Sequence, residues 1–286
     1  KKIRESEMVL SWGIKMLKKR LVACLNLKND IVVQSISFNK YLPIGKPSIS
    51  IEFLNSWGID EIILLDLDAT AQKIRPHFEL VNLLSKKCFV PLTVGGGITT
   101  VDDVKMLIQN GADKVSINTA AVTNPSLISE ASHMFGNQCI VVSIDAKRTD
   151  VLVDGKNSYE VFINSGKQAA GISPVELAKK AERLGAGEIL INSIDRDGSK
   201  IGYDLELIKA VSDAVSIPVI ACGGVGHPQH FLEGISIGKA SAAAAGNFYH
   251  FTEHSPIVAK SYLRKNGINV RLDTYANYLL AKFEER

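Results

Sequence analysis

Five carboxylates stand where short apolar runs give way to polar residues: Asp66, Asp68, Asp145, Asp195 and Asp197. A lone aspartate at such a junction is often only a helix cap. Asp145 is different because it closes the run Ile140–Asp145 itself. A carboxyl there can act as a general acid or base, or as a structural hydrogen-bond anchor. Glycine and amide pairs mark four further junctions: Gly95-Gly96-Gly97, Asn118-Thr119, Gly223-Gly224 and Gly246-Asn247. Glycine lets a backbone approach an oxyanion, and the helix that follows offers free N–H groups. Tight turns also need glycine, but the pattern recurs after corresponding runs. It points to two phosphate sites and a ligand with a phosphate at each end. A third set, Arg20, Glu61, Lys114 and Glu188, stands at the beginnings of runs and carries two charges of each sign. It reads either as a salt-bridge layer plugging one end of the fold or as a gated pore for a very small solute.

Metal chemistry is not indicated, because no His/Cys/carboxylate cluster has ligand spacing. The histidines are scattered, and His227 and His230 read as surface residues at a helix start. Cys24, Cys88, Cys139 and Cys222 form no C-x-x-C pair, which fits buried free thiols in a reducing cytoplasm.

The elements that must position these residues are short β-branched runs alternating with longer helical patterns. The strands are expected at Leu21–Asn26, Glu61–Asp66, Leu92–Gly96, Lys114–Asn118, Ile140–Asp145, Glu188–Ser193, Val219–Gly223 and Ser241–Gly246. Between them, segments such as Val101–Gln109 and Pro174–Leu184 place apolar residues three and four apart. Eight strand–helix units in 286 residues predict an α/β fold, a (β/α)8 or TIM barrel, with a doubly wound sheet as the alternative. Active sites of such barrels sit where strands end and helices begin, so the aspartates and glycines face one mouth.

An internal repeat supports closure. Asp60-Glu-Ile-Ile-Leu resembles Gly187-Glu-Ile-Leu-Ile, and Pro91-Leu-Thr-Val-Gly-Gly-Gly-Ile resembles Pro218-Val-Ile-Ala-Cys-Gly-Gly-Val, both at an offset of 127. Cys24-Leu-Asn-Leu-Lys lines up with Ser143-Ile-Asp-Ala-Lys at 119, so the loop after the fifth strand, Lys147 to Gly171, should be longer by eight residues. The reading is two half-barrels, about 16–137 and 138–273, forming one domain. An extension at 1–15 precedes them and a helical tail runs to 286. The repeat sets Asn26 and Asp145 at equivalent strand ends on opposite sides.

The chain holds 33 basic and 30 acidic residues, which argues against nucleic-acid binding by bulk charge. A hydrophobic share of 46% with no apolar run long enough to span a bilayer fits a globular protein.

Several stretches resemble the cyclase (synthase) subunit of imidazole glycerol phosphate synthase, of histidine biosynthesis. They are Thr93-Val-Gly-Gly-Gly-Ile98, Gly111-Ala-Asp-Lys-Val-Ser-Ile-Asn-Thr-Ala-Ala121, Ser143-Ile-Asp-Ala-Lys-Arg148, Gly185-Ala-Gly-Glu-Ile-Leu190, Ser193-Ile-Asp-Arg-Asp-Gly198 and Gly267-Ile-Asn-Val-Arg271. The resemblance runs from about Met16 to Asp273. It implies a barrel that binds a glutaminase at its floor, passes ammonia through a charged gate, and uses it on a bis-phosphate substrate, with no cofactor. Arg20, Glu61, Lys114 and Glu188 match the gate. Gly97, Asn118 and Thr119 match one phosphate site, and Asp197, Gly198, Gly224, Gly246 and Asn247 the other, with Gly246 where the family has Ser. Asp145 matches one catalytic aspartate. The other position holds Asn26, and the loop lysine is Gln34, with Asp30 and Ser35 replacing glycines. An amide has no titratable proton near neutrality, so Asn26 can only orient. The loop therefore implies a paralogue with impaired ring closure. It would be an ammonia-conducting or regulatory subunit that supplies a third, nucleotide-sugar-modifying enzyme of surface polysaccharide synthesis.

Overall fold

The computed structural model describes residues 18–153, 155–251 and 254–272. The expected N-terminal extension and C-terminal helical tail lie outside the described residues. In chain order the strands are β1 (Arg20–Lys28), β2 (Ile31–Ile36), β3 (Lys40–Gly45), β4 (Glu61–Asp66), β5 (Leu92–Gly95), β6 (Lys114–Ile117), β7 (Ile140–Val153), β8 (Lys156–Ile163), β9 (Gln168–Ala169), β10 (Glu188–Ser193), β11 (Val219–Cys222) and β12 (Ala242–Ala245).

Eight of them form a closed parallel barrel. β1 pairs with both β4 and β12, and β10 pairs with both β7 and β11, so the sheet has no free end. The fold is a (β/α)8 barrel, and each of the eight expected strands is present. Their cores are short buried runs, as parallel strands covered by helices require. Alternate residues face inward, where Val22, Cys24, Ile63, Val141, Leu190, Ile220, Cys222, Ala242 and Ala244 fill the interior. The intervening residues meet the helices in a larger outer core.

The helices begin where their sequences supply caps. Thr100 and Asp103 form a capping box ahead of Val101–Gln109, and Ser173 and Glu176 do the same ahead of Pro174–Arg183.

Two segments depart from the expectation. Lys147 to Gly171 is not a loop: β7 continues past Asp145 to Val153 and folds back antiparallel on β8. Asp145 is therefore not the last residue of its strand. Likewise β1 continues to Lys28 and turns into the β2–β3 hairpin. Asn29 and Asp30, both at positive φ, form its two-residue turn. Both hairpins rise from the same end of the barrel and wall its mouth.

Candidate functional site

The mouth is built around Asp145, which pairs in register with Asn192 across β7 and β10. The carboxylate is buried and takes one hydrogen bond from Asn118 Nδ2 at 3.1 Å and one from Asn192 Nδ2 at 3.4 Å. Burial pushes its carboxyl up to about 7, a rise only partly opposed by the two amides. A carboxyl that exchanges its proton near neutrality suits general acid–base work. Asn26 faces the same space from β1, and both Asn26 and Asn192 line the two cavities that meet there.

The first cavity is lined by Gly96, Asn118, Thr119, Ser116 and Asp145, under a roof of Phe38 and Tyr41 from the β2–β3 hairpin. Gly97 was expected here, but it is buried and its N–H donates to Thr70 Oγ1 at 3.3 Å. Gly96 lines the cavity, at φ +109 and packed so tightly on Asp66 that a Cβ would lie 2.3 Å from the Asp66 carbonyl oxygen. Burial also raises the Tyr41 phenol, helped by Asp197, Asp145 and Asp68, so the ring stays uncharged.

The second cavity gathers Asp197, Gly198, Gly224, Gly246 and Asn247 above the thiols of Cys24 and Cys222. These two cysteines are buried, while Cys88 and Cys139 are only half-buried, short of the burial expected for all four. Asp197 is committed to the hairpin. Its Oδ2 accepts from Ser35 Oγ at 2.5 Å and from the Phe38 N–H at 3.3 Å, and Asn247 Nδ2 donates to the Ser35 carbonyl at 2.9 Å. The tip residues Ser37 and Phe38, both left-handed without being glycine, are thereby held across the mouth. Gln34 is buried within β2.

The other strand-end carboxylates have structural partners. Asp66 caps the helix Leu67–Gln72, Asp68 pairs with Lys28 at 2.8 Å, and Asp195 accepts the Arg148 N–H at 2.8 Å. His227 and His230 are half-buried, not surface residues: His227 caps a helix and His230 Nδ1 accepts the Gly226 N–H.

At the opposite end, Arg20, Glu61, Lys114 and Glu188 close into a ring. Arg20 bridges Glu61 and Glu188, and Lys114 donates to the same two carboxylates at 2.9 Å each. The Thr93 hydroxyl adds a bond to Glu61 at 3.1 Å. Below the ring opens a cavity of about 640 Å³ lined by Lys18, Lys19, Gln138, Gly187 and Ile268. Phe89, 84% exposed, and Met134, 61% exposed, stand on this floor side.

Asn192 is the site residue the sequence reading missed. A signal was present: at the offset of 127 it matches Leu65, so a polar residue replaces an apolar one on an inward strand position.

A closed barrel with acid–base and amide groups at its mouth and a charge ring across its floor defines a (β/α)8-barrel protein of the class that works at its strand ends. The chain belongs to the histidine biosynthesis protein family, whose profile matches residues 20–255. It is similar to a protein of Vibrio vulnificus (strain YJ016) provisionally named imidazole glycerol phosphate synthase subunit hisF2. The two are 45% identical over 263 residues, which cover 92% of this chain and 94% of the relative. Among the described residues no helix is long and apolar enough to cross a membrane.

Proposed function

We propose that this chain is the barrel subunit of a glutamine amidotransferase of the imidazole glycerol phosphate synthase type. It takes ammonia from a glutaminase docked on its floor and carries it up the barrel to a phosphorylated ligand at the mouth. The observation that carries this reading is the floor ring. Four charges balanced two against two, with both carboxylates buried, close the barrel axis above an open cavity. A purely structural plug needs no such cavity beneath it. A small neutral molecule can pass such a ring when one ion pair loosens, whereas an ion would have to displace a charge. The exposed Phe89 and Met134, each a few residues ahead of a strand start, suit a protein partner, since large apolar side chains gain most when covered.

At the mouth, Asp145 can take or give a proton near neutrality. Glycine backbones and the Asn118, Thr119 and Asn247 side chains offer polar groups to phosphate oxygens in the two cavities. The test is co-purification with the glutaminase, combined with amide hydrogen exchange. Protection is expected at the strand starts around Lys19–Leu21 and Gly187–Glu188, and not at the hairpins. No complex at micromolar concentration would sink the reading.

A second reading is favoured by Asn26 and the buried Gln34. With an amide opposite Asp145, ring closure lacks one of its two proton-transferring groups. The subunit would then be a conduit that hands ammonia to a third enzyme acting on a nucleotide-linked sugar.

A further inference from the structure

The helix Pro47–Ser56 packs Pro47, Ile51 and Leu54 against the barrel. Its outer side carries a second apolar row. Ile49 and Phe53 are half exposed, and Trp57, which caps the helix, is half-buried. Spaced four apart, the three stand one turn above another on one side of the helix. The Phe53 and Trp57 rings lie 5.3 Å apart, and His254 meets the Trp57 ring edge-on at 5.4 Å. A row of large apolar side chains differs from the single ones that any surface shows, and it marks a place to be covered.

The chain carries a matching segment close by. From Met8 to Leu17, seven of ten residues are apolar, Trp12 among them, and such a run is costly to leave in water. One residue, Lys18, separates it from Lys19, which is fixed under the barrel by its bond to Asn269 and its pairing with Val270. The helix ends near the same place. The Asp60 N–H donates to the Leu21 carbonyl at 3.1 Å, so Trp57 and Leu17 are each only a few residues from one bonded point. The row from Ile49 to Trp57 is about 12 Å long, a length that ten residues cover whether helical or extended. Charge agrees with this course. Glu5 and Glu7 precede the run, and Lys46, exposed at the head of the helix, has no ion-pair partner among the described residues. Residues 273–286 leave from the same end and are the rival cover. Their first apolar side chain, Tyr275, is five positions past the Val270 pairing, whereas Leu17 is two before Lys19. So short a tether holds the run at an effective concentration on the order of millimolar, which lets a modest patch capture it.

We propose that residues 8–17 dock on the Ile49–Phe53–Trp57 row of their own barrel, with Trp12 among the covered side chains. Docking hides an apolar face that would otherwise meet other molecules.

Trp12 and Trp57 are the two tryptophans of the chain, so each can be read alone. Trp12→Phe leaves Trp57 as the sole indole of the full chain, and a chain beginning at Met16 leaves Trp57 without its cover. Emission and acrylamide quenching compare the two. Without residues 1–15 the emission should move to the red and the quenching constant should rise about twofold or more, as a large ring loses its neighbours. If the shorter chain does not fold, Leu10→Asp with Ile14→Asp in the Trp12→Phe chain should expose Trp57 in the same way. Reciprocally, Phe53→Asp in a Trp57→Phe chain should expose Trp12. None of these readings should change on dilution, since the cover belongs to the same chain. Trp57 quenching unaltered by removal or charging of the segment would overturn the proposal. So would exposure of Trp57 on ending the Trp12→Phe chain at Leu272, which would assign the row to residues 273–286. Exposure that appears on dilution would overturn it too, and would make a second copy the cover.

Discussion

Lys114→Met removes two of the four ion pairs in the floor ring. The two carboxylates it leaves are almost inaccessible, Glu61 at 1% and Glu188 at 7% of side-chain surface. Removing one partner of a buried ion pair costs about 3–5 kcal/mol, because the remaining charge is left uncompensated. Two features soften the loss here. Arg20 still bridges both carboxylates from a position 30% exposed, and Thr93 still donates to Glu61. The expected destabilisation is therefore about 2–4 kcal/mol. Urea unfolding followed by circular dichroism, with linear extrapolation, reads it directly. A companion variant, Lys114→Met with Glu188→Leu, deletes the surplus negative charge and leaves the Arg20–Glu61 pair intact. It should regain at least half of the loss, since buried ion pairs replaced by apolar groups are often neutral in stability. A single-variant loss below about 0.5 kcal/mol, the worth of a screened surface pair, would refute the reasoning. So would a double variant clearly less stable than the single one.

Three further outcomes are expected. Because burial raises the folded-state Asp145 carboxyl to about 7, above its unfolded value, its contribution to stability is complete below about pH 4 and is lost as pH rises through 7. Asp145→Asn should flatten that loss, so urea unfolding at about pH 5 and pH 8 should differ less in the variant than in the original chain, by up to about 2–3 kcal/mol; equal slopes would contradict the burial argument. Ser35→Ala cuts the hairpin's bond to Asp197, and exchange of the Ser37 and Phe38 amides should speed up roughly 10–100-fold, against no change if the tip is held by packing alone. With free ammonium, the chain should turn over the family's bis-phosphate substrate on the order of 10²–10⁴-fold below a two-aspartate site; Asn26→Asp should recover part and Asn26→Asp with Gln34→Lys more, while near-normal turnover by the original chain would make it an ordinary cyclase.

The barrel was legible because buried parallel strands are written as short β-branched runs, and Glu61–Asp66 and Glu188–Ser193 were placed to the residue. The 127-residue repeat carried the closure that periodicity alone cannot show. The hairpins were not legible in the same way. Lys147–Ile163 is polar on one face, so it lacks the apolar run that marks a barrel strand, although its Asp154-Gly155 dipeptide is a hairpin-turn signal. The ring residues were picked out by charge type at strand starts, where the structure joins all four. Of the triple glycine, Gly96 lines the cavity and Gly97 lies buried beside it, a distinction set by the turn geometry at Asp66 that the run of glycines does not reveal. Asn192 passed unnoticed because an asparagine near a strand end resembles an ordinary cap until its partner across the sheet is known.

The central claim is that the barrel floor receives ammonia from a glutaminase. The most direct measurement is glutamate release by that glutaminase as this chain is titrated in, with Arg20→Glu as a companion, since it reverses one charge of the ring. The expected result is a saturable rise in glutamine hydrolysis at micromolar concentration, with the response blunted by Arg20→Glu. A glutaminase rate that does not change at any concentration of this chain would contradict the account.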